Sequence, residues 1–453
     1  MTRTGEHLRR DALDIWQAGL AAVRSDVLVR ENVHVTNGQL QIGDASIDLD
    51  QIRHIEVVGA GKAGAGMSAG LEAALGEPLM AQKHLSGWVH VPADCVRPLT
   101  RIHLHAARPA SVNEPTQAGV DGAEEILRRV AALETEDLCI ALISGGGSAL
   151  LPCPAEGITL ADKLAVTRFL SAEGAPIDEL NTVRKQLSRI KGGGLARACG
   201  AGRLITLVIS DVLGDPLDLI ASGPTVPDRS TPHEALAILE RYGARKAGIS
   251  TRVFDLLTSR EARSPAPIRC QVSNLVIGSN RVAVEAAAQR AAELGYAVTS
   301  ESATASEGPA EGVGVRLAEA AIKMLGQSRP QCLVSGGEPT VKLVDAAKRG
   351  LGGRNQQLVL TAVVELQRRQ GNDAGRGLVI LSAGTDGEDG PTDAAGAIAD
   401  EQVIAAARRL QRDPSDYLAT NDAYHWFEPT GGLIKTGPTD TNVCDVRVVV
   451  AGE

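Results

Sequence analysis

The chain has few aromatic residues, no disulfide spacing and no long apolar run, and each shortage removes a class of function. Only 2% of its 453 residues are aromatic, too few to build stacking platforms for single-stranded nucleic acid. Its net charge is -9, so nothing in the overall balance draws it to nucleic acid or anionic lipid. No stretch reaches the ~20 apolar residues of a membrane span. The seven cysteines (Cys95, Cys139, Cys153, Cys199, Cys270, Cys332 and Cys444) are odd in number and never spaced CxxC, which argues against a disulfide framework or a zinc knuckle. Several lie in apolar runs and read as buried thiols. The N-terminus, MTRTGEHLRRDALDIWQAGL, reads as an amphipathic helix with Leu8, Leu13, Trp16 and Leu20 on one side, not as a secretory signal. The expected setting is a reducing cytoplasm, with no nucleic-acid partner and no membrane. HExxH, GxSxG and the P-loop pattern GxxxxGK[ST] are also missing, which removes the starting points for a zinc protease, an esterase triad and a Walker-type nucleotide site.

What is present is one repeated local pattern. A short apolar run is followed at once by Gly, Ser or Asp, and then by a helical segment. The runs are IEVVGAGKAG, LCIALISGGGSALL, LITLVISDVLGD, LVIGSN, CLVSGGEPT and LVILSAGTDG. Such runs read as strands buried on both faces of a parallel sheet, and segments such as 124–133 and 282–294 have helical spacing between them. The alternation predicts an α/β fold whose ligands bind at the carboxyl ends of the strands. At 453 residues two domains are expected. The Pro-, Ser- and Thr-rich stretch PTVPDRSTPHE, with capping-box spacing at Thr231 and Glu234, puts the boundary near there, giving domains 1–232 and 233–453. A second loose stretch runs from Ser259 to Ile268, and the N-terminal helix is free to pack on either domain.

The loops carry the candidate chemistry. Gly59-Ala-Gly61-Lys62-Ala-Gly64 is a G-x-G-x-x-G turn between strand and helix, where glycines let backbone approach a ligand and a helix N-terminus offers N–H groups to an anion. Alone it suggests a dinucleotide. The following candidate strand, KHLSGWVHVP, lacks the acid that would hold a ribose, however, and Lys62 suits a phosphate or carboxylate. Ser144-Gly145-Gly146-Gly147-Ser148 reads as a backbone nest for phosphate with Ser148 as a further donor. In NTVRKQLSRIKGGGLA, Arg184, Lys185, Arg189 and Lys191 read equally as a solvated face, except that Lys191 precedes a glycine run that could join it to the ligand. Asp211 ends a strand and stands evenly between a magnesium ligand and an Asx turn; Asp215, before Pro, leans toward the turn. Glu338 lies in SGGEPT, and Arg354 and Asn355 in GLGGRNQQ, where Arg354 suits two-pronged capture of a carboxylate or phosphate. Asp386 is the metal candidate of the acidic loop GTDGEDG, and Thr436–Asn442 is a polar, hairpin-like segment before VCDVRVVV.

Taken in order, GAGKAG, SGGGSALL, NTVRKQLSRIKGGGLA, SDVLGDPLDLIASGPT, SGGEPTV, GLGGRNQQLVL, SAGTDGEDGPTDAAGA and TGPTDTNVCD resemble the class II glycerate kinases, or glycerate 2-kinases, over about residues 10–450. The resemblance implies a glycerate-kinase N-terminal domain with a Rossmann-like parallel sheet, helices on both faces, and a smaller α/β C-terminal domain of the MOFRL kind. It implies transfer of the γ-phosphoryl group of ATP to the 2-hydroxyl of D-glycerate with Mg²⁺, and Lys62 and Arg354 as the functional pair. As the pair lies in different domains, the expected site is an interdomain cleft, in a monomer or homodimer. Gly59, Gly61, Ser144–Ser148 and Lys191 are then expected at the nucleotide phosphates. Arg184, Asn355 and Glu338 are expected at the substrate or in support of it, and Asp211 and Asp386 at the metal. Two rivals remain: an NAD(P)H-dependent hydroxypyruvate reductase, which the G-x-G-x-x-G favours, and a non-catalytic ligand sensor.

Overall fold

The computed structural model describes residues 3–109, 112, 114–261 and 266–452. The chain forms two compact units, Ser25–Ile277 and a second made of Met1–Arg24 with Gly278–Glu453.

The first unit opens with an antiparallel meander, β1 (Val33–Thr36), β2 (Gln39–Ile42) and β3 (Ala45–Asp48), whose four-residue strands are too short to show a period in the sequence. Its main sheet holds β4 (His54–Ala60), β5 (Ser86–Pro92), β6 (Ile102–Arg108), β7 (Asp137–Ser144), β8 (Arg203–Ile209) and β9 (Gln271–Gly278), in the order β6-β5-β4-β7-β8-β9. From β6 to β8 every neighbouring pair is parallel. β7 is buried at every position and β4 at all but its first, as apolar runs covered on both faces must be. The order runs outward one way from β4 and the other way from β7. That reversal is the switch point at which open α/β sheets leave a crevice for ligands.

The boundary expected at residue 232 is not observed. Thr231 does cap a helix, Pro232–Arg241, with both bonds of a capping box. That helix packs back on earlier ones: Leu239, Val253, Phe254 and Leu257 share one core with Val166, Leu170, Leu180 and Val183. The chain leaves this unit only after β9. The stretch Ser259–Ile268 falls partly outside the described residues.

The second unit has a six-stranded sheet of β10 (Ala297–Ser302), β11 (Gln331–Gly337), β12 (Leu378–Gly384), β13 (Gly396–Asp400), β14 (Leu433–Ile434) and β15 (Asp445–Ala451), ordered β10-β11-β15-β12-β13-β14. Only β10 and β11 pair in parallel; β15 lies antiparallel between β11 and β12. The runs CLVSGGEPT and LVILSAGTDG are therefore strands as expected, but in a mixed sheet. A central antiparallel strand buried on both faces has the same apolar signature as a parallel one, so composition could not separate them. The helix Gly5–Ala22 belongs to this unit and buries Leu8, Ala12, Ile15 and Trp16. Its Gly19 is needed because a Cβ there would stand 2.8 Å from the Ala283 carbonyl. Leu13 and Leu20, expected on the packed side, are only half-buried.

All seven cysteines are free thiols, and all but Cys95 are buried. Among the described residues no helix is long and apolar enough to cross a membrane.

Candidate active site

In the first unit the loops after β4 and β7 meet at the switch point, and their glycines are explained by that meeting. A Cβ on Gly59 would stand 2.1 Å from the Leu142 carbonyl, and one on Gly61, at φ +155°, would stand 1.9 Å from Ser144 Oγ. The Lys62 N–H donates to the Gly145 carbonyl at 2.8 Å and the Ala63 N–H to Ser144 Oγ at 3.1 Å. Two N–H groups at the head of the helix Gly64–Gln82 are thus already taken by protein. The close approach of the two loops by itself accounts for the glycines at 59 and 61. The next strand, β5, carries no acid for a ribose.

The Ser144 loop is glycine-rich for a related reason. A Cβ on Gly145 would be 2.3 Å from a carboxylate oxygen of Asp211, and one on Gly147 2.9 Å from Ala221 Cβ. Gly146 is left-handed at φ +75°, and the Lys62 stem runs across it, with Cγ 3.3 Å from the site of a Cβ. Lys62 and Asp211, both half-buried, therefore stand on one glycine platform with opposite charges.

Lys191 closes the platform from another side. Its ammonium donates to Ser148 Oγ at 2.9 Å, to the Ser148 carbonyl at 3.0 Å and to Ser222 Oγ at 3.3 Å, while the two hydroxyls lie 2.8 Å apart. Lys191 is 4% exposed, and burial first, then Lys163, Arg184 and Lys185, push its pKa well below the ordinary value. Ser222 and its neighbour Ala221 are held at φ +60° and +50°, strained conformations that bring the serine hydroxyl to the lysine. Ser222 was not anticipated; the only sign of it was its place in the turn-rich ASGPT. The KGGG backbone is not open to a ligand as expected, since the Gly192 and Gly193 N–H groups donate to the Ser222 and Gly223 carbonyls at 3.0 and 2.7 Å. The rest of the basic stretch divides. Arg189 is exposed and 3.5 Å from Glu124, Lys185 is 3.4 Å from Asp218, and Arg184 is half-buried. Asp215, at φ +56° with its N–H on the Val212 carbonyl, is a turn residue. A cavity of about 1330 Å³ adjoins this region, lined by Arg189, Lys191, Gly192, Arg197 and Asp228 among others, but none of Gly59–Lys62 or Ser144–Ser148 is in its lining.

In the second unit Arg354 opens the helix Arg354–Gln370. Its Nε and Nη2 grip the fully buried Asp445 at 2.7 and 2.9 Å, and Nη1 lies 3.1 Å from Glu338. Burial works against the guanidinium charge, but Asp445 and Glu338 outweigh it and raise the pKa above the ordinary value. Arg354 is therefore neutralised by the protein itself, not held open for an anion as its sequence context suggested. Asn355 is buried and supports the site from within: its N–H and Nδ2 donate to Asp389 at 3.0 and 3.2 Å, beside the Gln356 N–H at 2.9 Å. Asp389 thus caps the helix, and Gly353 is glycine because a Cβ would stand 2.3 Å from that carboxylate. Burial, then Asp445, pushes Asp389 up to about 6 against the pull of the two amides and Arg354. Sequence reasoning singled out Asp386 in this acidic loop and missed Asp389 and Asp445. Asp386 accepts the Glu388 N–H at 3.1 Å in an Asx turn. Thr436–Asn442 is an irregular loop rather than a hairpin, anchored by Thr439 Oγ on the Thr385 carbonyl. Among the described residues no group of three or more His, Cys, Asp or Glu is placed to hold a metal ion; Asp211 and Asp386 each offer a single carboxylate.

Fold and loops together define an α/β protein with a cation-bearing, glycine-lined site at the switch point of a parallel sheet. Residues 11–258 match a family described as a domain of unknown function, DUF4147, and residues 331–445 match the MOFRL family. A Danio rerio glycerate kinase is 35% identical, covering 98% of this chain and 97% of its own. An Agrobacterium vitis protein with a provisional hydroxypyruvate reductase name is 39% identical over 87% of each chain. The solved glycerate kinase of Thermotoga maritima superposes with a TM-score of 0.82 at 32% identity, covering 98% of this chain and 100% of its own. The chain belongs to the glycerate kinase family, with a DUF4147 region followed by a MOFRL region.

Proposed function

We propose that this protein is a glycerate kinase that transfers the γ-phosphoryl group of ATP to the 2-hydroxyl of D-glycerate, giving 2-phosphoglycerate and ADP. The observation that carries the reading is similarity along the whole chain to glycerate kinases, at 35% identity for the zebrafish protein. The site chemistry supports it. Phosphoryl transfer needs positioning and neutralisation of charge more than covalent help. Lys62, lying over Gly146, supplies a cation to the transferring phosphoryl group. Ser148, tied to Lys191 and Ser222, is a held hydroxyl beside it. Arg354, locked by Asp445, acts through its fixed position in the second unit.

Magnesium fits the donor chemistry at Asp211. One half-buried carboxylate beside a phosphate loop is what Mg²⁺ takes when phosphate oxygens and water complete its shell. Asp386, in the second unit, is an alternative candidate. When bound, the ion would supply charge neutralisation for the phosphates. The protein is further proposed to act in the cytoplasm, as a monomer or homodimer.

The Agrobacterium relative's name favours a second reading, an NAD(P)H-dependent hydroxypyruvate reductase. The occupied N–H groups of Lys62 and Ala63 and the lack of an acid on β5 count against it. Purified protein given NADH and hydroxypyruvate, or ATP, Mg²⁺ and D-glycerate, separates the two. ADP formation dependent on glycerate is expected, and NADH oxidation without it would sink the kinase reading.

A further inference from the structure

A smaller cavity of about 360 Å³ shares Ser148 and Lys191 with the site described above and is lined further by Lys163, Thr167 and Arg184. Apart from Arg168, its three cations come from separate segments: Lys163 from the helix Leu160–Ala172, Arg184 from Ile177–Gln186 and Lys191 from the loop beyond. Lys163 is 9% exposed and Lys191 4%. Among the described residues none of the three has a carboxylate within ion-pair distance. The carboxylate in the lining, Glu114, is held by Arg168 at 3.0 and 2.6 Å.

Buried cations ordinarily pair with an acid. A purely structural role accounts for part of the cluster: Lys163 Nζ donates to the Leu187 carbonyl at 3.2 Å, at the end of the helix that carries Arg184. It does not account for three cations from three segments converging on one small cavity whose one lining carboxylate, Glu114, is taken up by Arg168. The volume lies at the small end of ligand pockets, which suits a three-carbon acid or one phosphate group.

We propose that this pocket is an oxyanion subsite, in which Lys163, Arg184 and Lys191 hold a carboxylate or phosphate group of a small ligand against Ser148. The inference deepens the kinase reading and rests on it only for the source of the anion, the carboxylate of D-glycerate or a phosphate of ATP. Burial, with Arg184 adding to it and Cys153 opposing, pushes Lys163 down to about 7. The other charges lining the cavity are Lys191, Arg184 and the Glu114–Arg168 pair. An arriving anion favours the charged lysine, so binding near pH 8 takes up a proton.

The test uses inorganic phosphate and D-glycerate, each alone, titrated by calorimetry at pH 8 in two buffers of different ionisation enthalpy. Wild type, Lys163→Met and Arg184→Gln are compared, with thermal unfolding of each recorded and the KM for glycerate and for ATP measured alongside. Wild type is expected to bind at least one probe with proton uptake. Both variants should weaken that binding by about tenfold or more, and Lys163→Met should reduce the uptake. A matching rise in KM for glycerate assigns the subsite to the carboxylate; a rise for ATP assigns it to phosphate. If Lys163→Met does not fold, Lys163→Arg and Arg184→Gln carry the comparison. Unchanged binding and unchanged KM values for both substrates, in variants that unfold like wild type, would overturn the subsite while leaving the kinase reading in place. Phosphate binding lost in the variants of a protein that phosphorylates no glycerate would do the reverse.

Discussion

Two clusters of cations, one in each unit, are treated in opposite ways. In the second, Arg354 is gripped by Asp445 and Glu338, and Arg447 by Glu307 at 2.6 and 2.8 Å. In the first, among the described residues, Lys163, Arg184 and Lys191 have no carboxylate within ion-pair distance; the two lysines donate to hydroxyls and carbonyls. A guanidinium whose charge is completed by the protein positions other groups; an ammonium whose charge is left uncompleted is suited to an anion that arrives. On the proposed reading, ligand binding falls chiefly to the first unit and Arg354 acts through its fixed position in the second.

The largest effect is expected at Lys62. Lys62→Ala should lower kcat/KM by about 10³-fold, as loss of a group that stabilises transferring charge does, with unfolding unchanged. Near-normal turnover in a folded variant would break the contrast on the ligand side. Arg354 tests the other side. Arg354→Ala leaves the fully buried Asp445 unpaired and should cost about 3–5 kcal/mol of stability by urea unfolding. Arg354→Lys keeps a charge but not the two-pronged grip and should not restore activity. A fully stable Arg354→Ala would show that the arginine does not position anything.

Smaller effects sharpen the picture. Asp211→Asn and Asp386→Asn should each raise the Mg²⁺ needed for half-maximal activity by about tenfold; unchanged titrations in both would move the metal ligands elsewhere. The units should also answer pH in opposite windows. Lys163 is held near 7 against an ordinary 10.5, so the stability linked to its neutral burial is present above 10.5 and lost as pH falls through about 7. Asp389 is raised to about 6 from 3.8, so its contribution is present below 3.8 and lost as pH rises through about 6. Unfolding midpoints of Lys163→Met and Asp389→Asn, followed against wild type across pH, should lose one window each.

Much of the first unit could be read in advance. Short, mainly apolar runs ending in Gly, Ser or Asp became β4, β7 and β8, and the loops after β4 and β7 met where strand-order rules put a crevice. The capping box at Thr231 was also real, yet it misplaced the domain boundary, because a cap reports where a helix starts and not what the helix packs on. The glycines were recognised as necessary, but their approach to a second loop was not, since a second loop and a ligand demand the same missing Cβ. Lys163 was invisible within LADKLAVTRF, where nothing local marks a lysine that tertiary packing buries. Asp389 and Asp445 were missed because their partners lie 34 and 91 residues away.

The most direct measurement is identification of the product. Protein, ATP, Mg²⁺ and D-glycerate are incubated and the phosphoglycerate is assigned by phosphorus-31 and carbon-13 magnetic resonance. One 2-phosphoglycerate for each ADP formed is the expected result. Formation of 3-phosphoglycerate would contradict the proposed acceptor hydroxyl, and the absence of any phosphoglycerate would contradict the kinase reading itself.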